Sequence, residues 1–244
     1  MKKDFRYAVY TNAGSRPVNE DALTVSQNGE NFCFVLCDGL GGHGMGDVAS
    51  QIVTQVFNSQ FHQTDKPSDF LAEGFQAAQD ILLAEQKARH AERKMKTTAV
   101  ALAVDRRKAY IGHIGDSRAY VFQRGKVRCR TLDHSIPQML ANAGDIREDQ
   151  IRNHPDRNIV LRVMGVEWDD PMYELMKPIS LWQCQAFLLC SDGFWELIEE
   201  SDMCETLSSA QSPDDWLEKM ASIIKVNGTD RDMDNFSAIA VWRS

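Results

Sequence analysis

Phe32-Cys33-Phe34-Val35-Leu36-Cys37 runs without a polar residue and then stops at Asp38-Gly39-Leu40-Gly41-Gly42-His43-Gly44. Its shortness, its aromatic and β-branched residues and the turn-forming sequence that ends it describe a buried strand rather than a helix. The same ending recurs downstream, where Ala186-Phe187-Leu188-Leu189-Cys190-Ser191 stops at Asp192-Gly193. Two further acidic groups stand at strand ends: Asn19-Glu20-Asp21 precedes the alternating run Ala22 to Ser26, and Asp234-Asn235 precedes Phe236 to Trp242. A carboxylate at the mouth of a buried strand is costly unless it is paired or holds a cation. Oxygen-only ligation suits Mg²⁺ or Mn²⁺ better than Zn²⁺, for which His and Cys are expected.

Outward from these runs, Ala8 to Thr11 adds another strand, separated from its neighbours by Asn-Ala-Gly-Ser-Arg-Pro and Asn-Gly-Glu-Asn turns. From Gly46 the period changes: Val48, Ile52 and Val56, then Leu71, Phe75, Ala78 and Leu82 beyond the Asp65-Lys66-Pro67 breaker, predict two amphipathic helices. Strand patterns return over Thr97–Val104, Ala109–Ile114 and Arg118–Gln123, with Gly115-Asp116-Ser117-Arg118 read as the turn of a hairpin in which the Arg pairs the Asp. An irregular stretch from 132 to 165 holds one short helix near Ile136–Ala143, and a helix over Asp214–Val226 precedes the last strand. Strands and helices in blocks make an α+β pattern. No repeat or linker divides the 244 residues, so one domain is expected, with 132–165 as a functional flap.

A net charge of −8, from 35 acidic against 27 basic residues, argues against a general nucleic-acid binder. No stretch is long and apolar enough to span a bilayer and Asp4, Arg6 and Asn12 interrupt any leader, so a soluble cytoplasmic protein is expected. The six cysteines lie mostly inside apolar strands, where packing is their role; Cys33 and Cys37 share a face but lack a second ligand pair. The cations Lys87, Arg89, Arg93, Lys94 and Lys96 close a helix and answer its dipole.

Gly39 to Gly44 matches the G-x-G-x-x-G dinucleotide fingerprint, but Asp38 would repel a pyrophosphate and two helices follow where a βαβ unit needs a strand. A P-loop fails because Met45 occupies the lysine position. Arg16, four residues before Glu20, could neutralise Glu20 and Asp21 or present its fork to a phosphoryl oxygen. No cysteine begins a Cys-x5-Arg motif, which disfavours a cysteinyl-phosphate route. His43 stands beside the Gly-rich turn as an acid or anion partner; His62, His90 and His113 read as structural, and His134 and His154 as turn caps in the flap.

Taken together, Arg16-Pro-Val-Asn19-Glu20-Asp21, Asp38-Gly39-Leu-Gly-Gly-His43-Gly, Thr97-Thr98-Ala99, Gly115-Asp116-Ser117-Arg118, Asp133-His134-Ser135, Ser191-Asp192-Gly193 and Asp234-Asn235-Phe-Ser237-Ala238 resemble the bacterial members of the type 2C (PPM) metal-dependent serine/threonine phosphatases. The resemblance covers nearly the whole chain in the family's order. It implies a four-layer α-β-β-α sandwich, two central antiparallel sheets flanked by helices, with a dinuclear Mn²⁺ or Mg²⁺ site at one end. By position, Asp38 would bridge both ions, the Gly39 carbonyl would complete one, and Asp192 and Asp234 would hold the other. Asp21 and Glu20 would orient coordinated waters, Asp116 with Asp192 would take a third, weaker ion, and Arg16 would grip the substrate phosphate. Leu40 stands where eukaryotic members place a histidine acid, which leaves His43 as the candidate proton donor. The implied reaction is direct hydrolysis of phosphoserine and phosphothreonine on proteins by a water activated between the two ions, opposing a bacterial Ser/Thr kinase, in a monomer without nucleic-acid or membrane partners. The rival is a catalytically silent phosphoprotein-binding scaffold of the same fold.

Overall fold

The computed structural model describes residues 5–40, 44–64, 66–92 and 94–243. Its elements run β1 (Phe5–Asn12), β2 (Asp21–Asn28), β3 (Asn31–Asp38), α1 (Gly46–Phe61), α2 (Pro67–Arg89), β4 (Ala99–Val104), β5 (Lys108–Ile114), β6 (Arg118–Gln123), β7 (Lys126–Arg130), α3 (Ile136–Ala143), β8 (Glu174–Leu175), β9 (Ile179–Ser180), β10 (Ala186–Cys190), α4 (Asp192–Trp195), α5 (Glu200–Ser209), α6 (Pro213–Asn227) and β11 (Phe236–Arg243). One sheet has the order β1-β11-β10-β6-β7 and the other β2-β3-β4-β5-β8, with β9 also on β5. All strand pairs in both are antiparallel.

The unbroken apolar runs follow from burial of both faces of each sheet. Phe34, Leu36, Val100 and Leu102 of one sheet meet Val121, Phe187, Leu189, Ile239 and Val241 of the other in the middle of the sandwich. The alternate residues Cys33, Val35, Cys37, Ala101 and Ala103 turn outward onto Val53, Phe57, Phe75, Ala78 and Leu82 of α1 and α2. On the opposite side Tyr120, Phe122, Leu188, Ala238 and Ala240 are covered by Trp195, Met203 and Trp216, Leu217, Met220 and Ile224 of α4, α5 and α6. The α-β-β-α layering expected from the resemblance is therefore present. Cys33, Cys37 and Cys190 are packed into these layers, and burial pushes their thiols up, so none is a ready nucleophile.

One reading of the sequence is corrected. Gly115-Asp116-Ser117-Arg118 is not the turn of a hairpin, because β5 belongs to one sheet and β6 to the other, and the chain crosses the sandwich here. Gly115 makes the crossing with φ +104°, and a Cβ there would fall 2.6 Å from the Thr98 side chain. Nor does Arg118 pair with Asp116: its guanidinium forms two bonds of 2.7 and 2.8 Å to Asp133 and lies 3.4 Å over the Trp195 ring. The 132–165 stretch has the expected helix, α3, started by Ser135, whose Oγ accepts from Gln138 N–H, and stopped by Gly144 in the left-handed region. Among the described residues, no helix is long and apolar enough to cross a membrane.

Candidate metal and phosphate site

Antiparallel order brings strand ends from both sheets to one edge of the sandwich. There β3 ends at Asp38 opposite Asp21, where β2 begins. In the facing sheet β10 ends beside Arg118, where β6 starts, and runs through Ser191 into Asp192. Asp234 and Asn235 enter β11 next to it. A cavity of about 490 Å³ opens at this edge, lined by Glu20, Asp38, Gly39, Asp116, Asp192 and Asp234, with Arg16 and Asn158 at its sides.

The backbone under Asp38 is held from several directions. Its N–H donates to Thr98 Oγ1 at 3.1 Å, and its carbonyl accepts from Thr97 Oγ1 and Thr98 N–H at 2.8 Å each. Gly39 N–H donates to the Glu20 carbonyl at 3.1 Å. A Cβ on Gly39 would lie 2.4 Å from the Gly46 backbone and 2.7 Å from the Glu20 carbonyl, so only glycine lets the two segments close. Gly39→Ala should therefore destabilise the protein by about 1–3 kcal/mol, read as a drop of roughly 2–4 °C in melting temperature per kcal/mol; an unchanged melt would mean that the segments part without loss.

Electrostatically the cluster is strained. Burial raises Asp38 well above the carboxylate range, and repulsion from Asp192, Asp21 and Asp116 adds to it. Asp116 is raised for the same first reason, then by Asp192 and Asp133. Asp192 is raised by burial and by Asp234, although its neighbour Asp38 opposes this. Asp21 is pushed up to about 7, mainly by burial, even though Ser191 Oγ donates to its Oδ2 at 3.0 Å; its Oδ1 has no partner among the described residues. Burial and Asp47 raise Glu20. An orphaned buried oxygen amid mutually repelling carboxylates, all oxygen donors, fits a hard divalent cation.

Of the expected residues, Asp38, Gly39, Glu20, Asp116, Asp192, Asp234 and Arg16 are brought together at the cavity. Asp21 lies behind it, paired in register with Asp38. His43 lies outside the described residues, as do Gly41 and Gly42. Arg16 does not neutralise Glu20 or Asp21 by direct pairing. Its Nε and Nη2 form a two-pronged bond to Asp234 at 3.2 Å each, and Nη1 lies 3.6 Å from Asp232. Sequence reasoning missed Asn235, whose side chain accepts from Glu20 N–H at 2.8 Å and donates to the Ala13 and Val18 carbonyls, tying the Arg16 loop to the start of β11. It also missed Trp195, whose indole N–H donates to the Asp116 carbonyl at 3.0 Å. The Asp234-Asn235 pair was visible; that Asn235 turns inward was not.

Residues 11–236 match the family model described as protein phosphatase 2C. The chain belongs to the protein phosphatase 2C family. The serine/threonine phosphatase stp of Listeria welshimeri is 31% identical over 201 residues, covering 80% of this chain and 79% of the relative. Among solved structures, serine/threonine phosphatase Stp1 from Staphylococcus aureus is 28% identical with a TM-score of 0.87, covering 97% of this chain and 94% of that one. The catalytic domain of PstP in complex with two manganese ions shares the fold, with a TM-score of 0.82 at 22% identity over 98% of each chain. In this protein phosphatase 2C the carboxylates Asp38, Asp116, Asp192 and Asp234 line one cavity.

Proposed function

We propose that this phosphatase hydrolyses phosphoserine and phosphothreonine on proteins at the 490 Å³ cavity. The observation that carries the reading is the convergence of Asp38, Asp116, Asp192 and Asp234 from separate strand ends, with Arg16 as the guanidinium on the cavity wall. Asp38, the Gly39 carbonyl, Asp192 and Asp234 would hold two Mn²⁺ or Mg²⁺ ions, and Asp116 with Asp192 a third. When bound, such ions lower the pKa of coordinated water and offset charge on phosphoryl oxygens.

The chain's own groups do the rest. The Arg16 fork, which here makes a two-pronged bond to Asp234, has the geometry to match two phosphoryl oxygens and would be available to them if Asp234 held a cation. Glu20 faces the cavity and Asp21 stands behind it, placed to accept protons from waters there. We assign the proton delivered to the departing seryl oxygen to His43, and the flap role to residues 132–165 of a single catalytic domain, since Asn158 and Val160 reach the cavity. The partner is a phosphoprotein made by a Ser/Thr kinase, met in the cytoplasm by a monomer. The silent-scaffold reading is not favoured, because none of the acidic groups is replaced.

The experiment is hydrolysis of para-nitrophenyl phosphate and of a phosphothreonine peptide with Mn²⁺, Mg²⁺ or EDTA. Metal-dependent release of phosphate from both is expected; equal turnover in EDTA would refute the reading. Arg16→Ala should raise KM for the phosphopeptide roughly ten- to a hundred-fold, the worth of one charged bidentate contact, with a smaller change in kcat. An unchanged KM would leave Arg16 as no more than the Asp234 partner it is here.

A further inference from the structure

On the other side of Gly115 from Asp116 lies a second group of ligating side chains. His113, near the end of β5, and His134, at the base of the 132–165 segment, stack with ring centroids 4.6 Å apart and planes 18° apart. They are 2% and 7% exposed. His113 Nε2 lies 2.7 Å from the Leu132 carbonyl and donates its proton there, which leaves Nδ1 as a bare lone pair. That Nδ1 and His134 Nε2 are buried without a hydrogen-bond partner among the described residues. Glu174 on β8 pairs in register with His113, and its Oε1 comes within 3.4 Å of His134 Nε2. One nitrogen from each ring and one Glu174 oxygen lie within 4.8 Å of one another.

Two buried nitrogens facing one carboxylate would each be costly if nothing joined them. We propose that His113, His134 and Glu174 form a second metal site, separate from the carboxylate cluster, that takes a borderline divalent cation of the Zn²⁺ class. Two imidazoles and a carboxylate are a zinc donor set, with a fourth position left to water, whereas the all-oxygen cluster across Gly115 suits Mg²⁺ or Mn²⁺. Burial lowers both histidines, His134 to about 4, so both rings are neutral at neutral pH; His113 offers its Nδ1 lone pair directly, and His134 offers Nε2 once its ring proton moves to Nδ1. Glu174 is half exposed and free to close on the ion, and Arg162, 3.2 Å from it, is a solvated partner that gives way at small cost.

The proton balance links the two sites. In the metal-free protein Gly115 N–H donates to His134 Nδ1 at 3.2 Å, which puts the ring proton on Nε2. Binding a cation at Nε2 moves that proton to Nδ1 and breaks the bond from Gly115, the residue before Asp116. Occupancy would thus tie β8 and the 132–165 segment to β5 while altering the backbone that carries Asp116.

The test uses the full chain in saturating Mg²⁺, so that the carboxylate cluster is occupied. Zn²⁺ is titrated against a chromophoric chelator while the imidazole ¹⁵N resonances of His113 and His134 are followed. We expect one Zn²⁺ per chain, large shifts at His113 Nδ1 and His134 Nε2, and affinity lowered at least about ten-fold in Glu174→Gln, a change at an exposed position that leaves the core intact. Unmoved histidine resonances, or equal affinity in Glu174→Gln and in a His134→Gln variant shown to be folded, would overturn the proposal and leave the pair as a packing stack. Neither outcome depends on phosphatase activity.

Discussion

Replacing Asp38 with asparagine is expected to lower metal-supported turnover roughly a thousand-fold or more, while the metal-free variant melts at a higher temperature than the metal-free wild type. Both effects have one cause. Asp38 sits among Asp192, Asp21 and Asp116, whose charges raise its pKa on top of burial, so ionising it at neutral pH works against the fold unless a cation is present. An amide keeps the shape and leaves the backbone bonds to Thr97 and Thr98 in place, but it lacks the negative charge that the proposed metal role requires. Each kcal/mol of relieved repulsion should raise the melting temperature by about 2–4 °C. Phosphatase assays and melts in EDTA check the two halves separately. A variant that turned over normally would remove Asp38 from the site; one that was inactive and also less stable without metal would show that the carboxylate is held by something other than repelling neighbours.

Metal-free wild-type protein should become more stable as the pH falls from 8 to 5, against the usual trend for an acidic domain. Asp21 has its folded pKa near 7, above an unfolded value of about 4, and Asp38 and Asp116 are raised as well. Between those two values the folded state holds protons that the unfolded chain releases, so stability is lost as the pH rises through the window. The span corresponds to a melting-temperature loss on the order of 5–10 °C between pH 5 and 8. With Mn²⁺ the slope should reverse, because protons then compete with the cation for the same oxygens. Calorimetry across that range, in EDTA and in Mn²⁺, reads both slopes, and a flat or rising profile in EDTA would mean that the cluster is not under charge strain.

Much of this site was legible from composition and spacing. Asp38, Asp192 and Asp234 announce themselves because apolar runs end on them, and a strand end is where a carboxylate can meet carboxylates from neighbouring strands. Asp116 is different. Alternating apolar residues on both sides of Gly115 show two strands but not which sheet each joins, so a crossover of the sandwich reads like a hairpin. The α5 helix was hidden because only Met203, Thr206 and Leu207 of its residues are buried, too sparse for a clear period, and β7 because its outward residues are charged. Asn235 and Trp195 act through hydrogen bonds between segments far apart in sequence, which no local pattern encodes.

The pairing of β1 with β11 sets the order in which this site can come into being. Strand β11 holds β1 along Phe5 to Asn12, and Asn235 fastens the loop that carries Arg16. Segments separated by more than two hundred residues, |i−j| = 218 for Arg16 and Asp234, must find each other before the cavity exists. Closing so long a loop is slow relative to local pairing. During synthesis the acidic groups near Asp38 therefore emerge apart from Asp192 and Asp234, and the full cluster is assembled only when the last strand docks. Recovery of cation binding after dilution from denaturant is then expected to keep pace with the docking of β11 on β1.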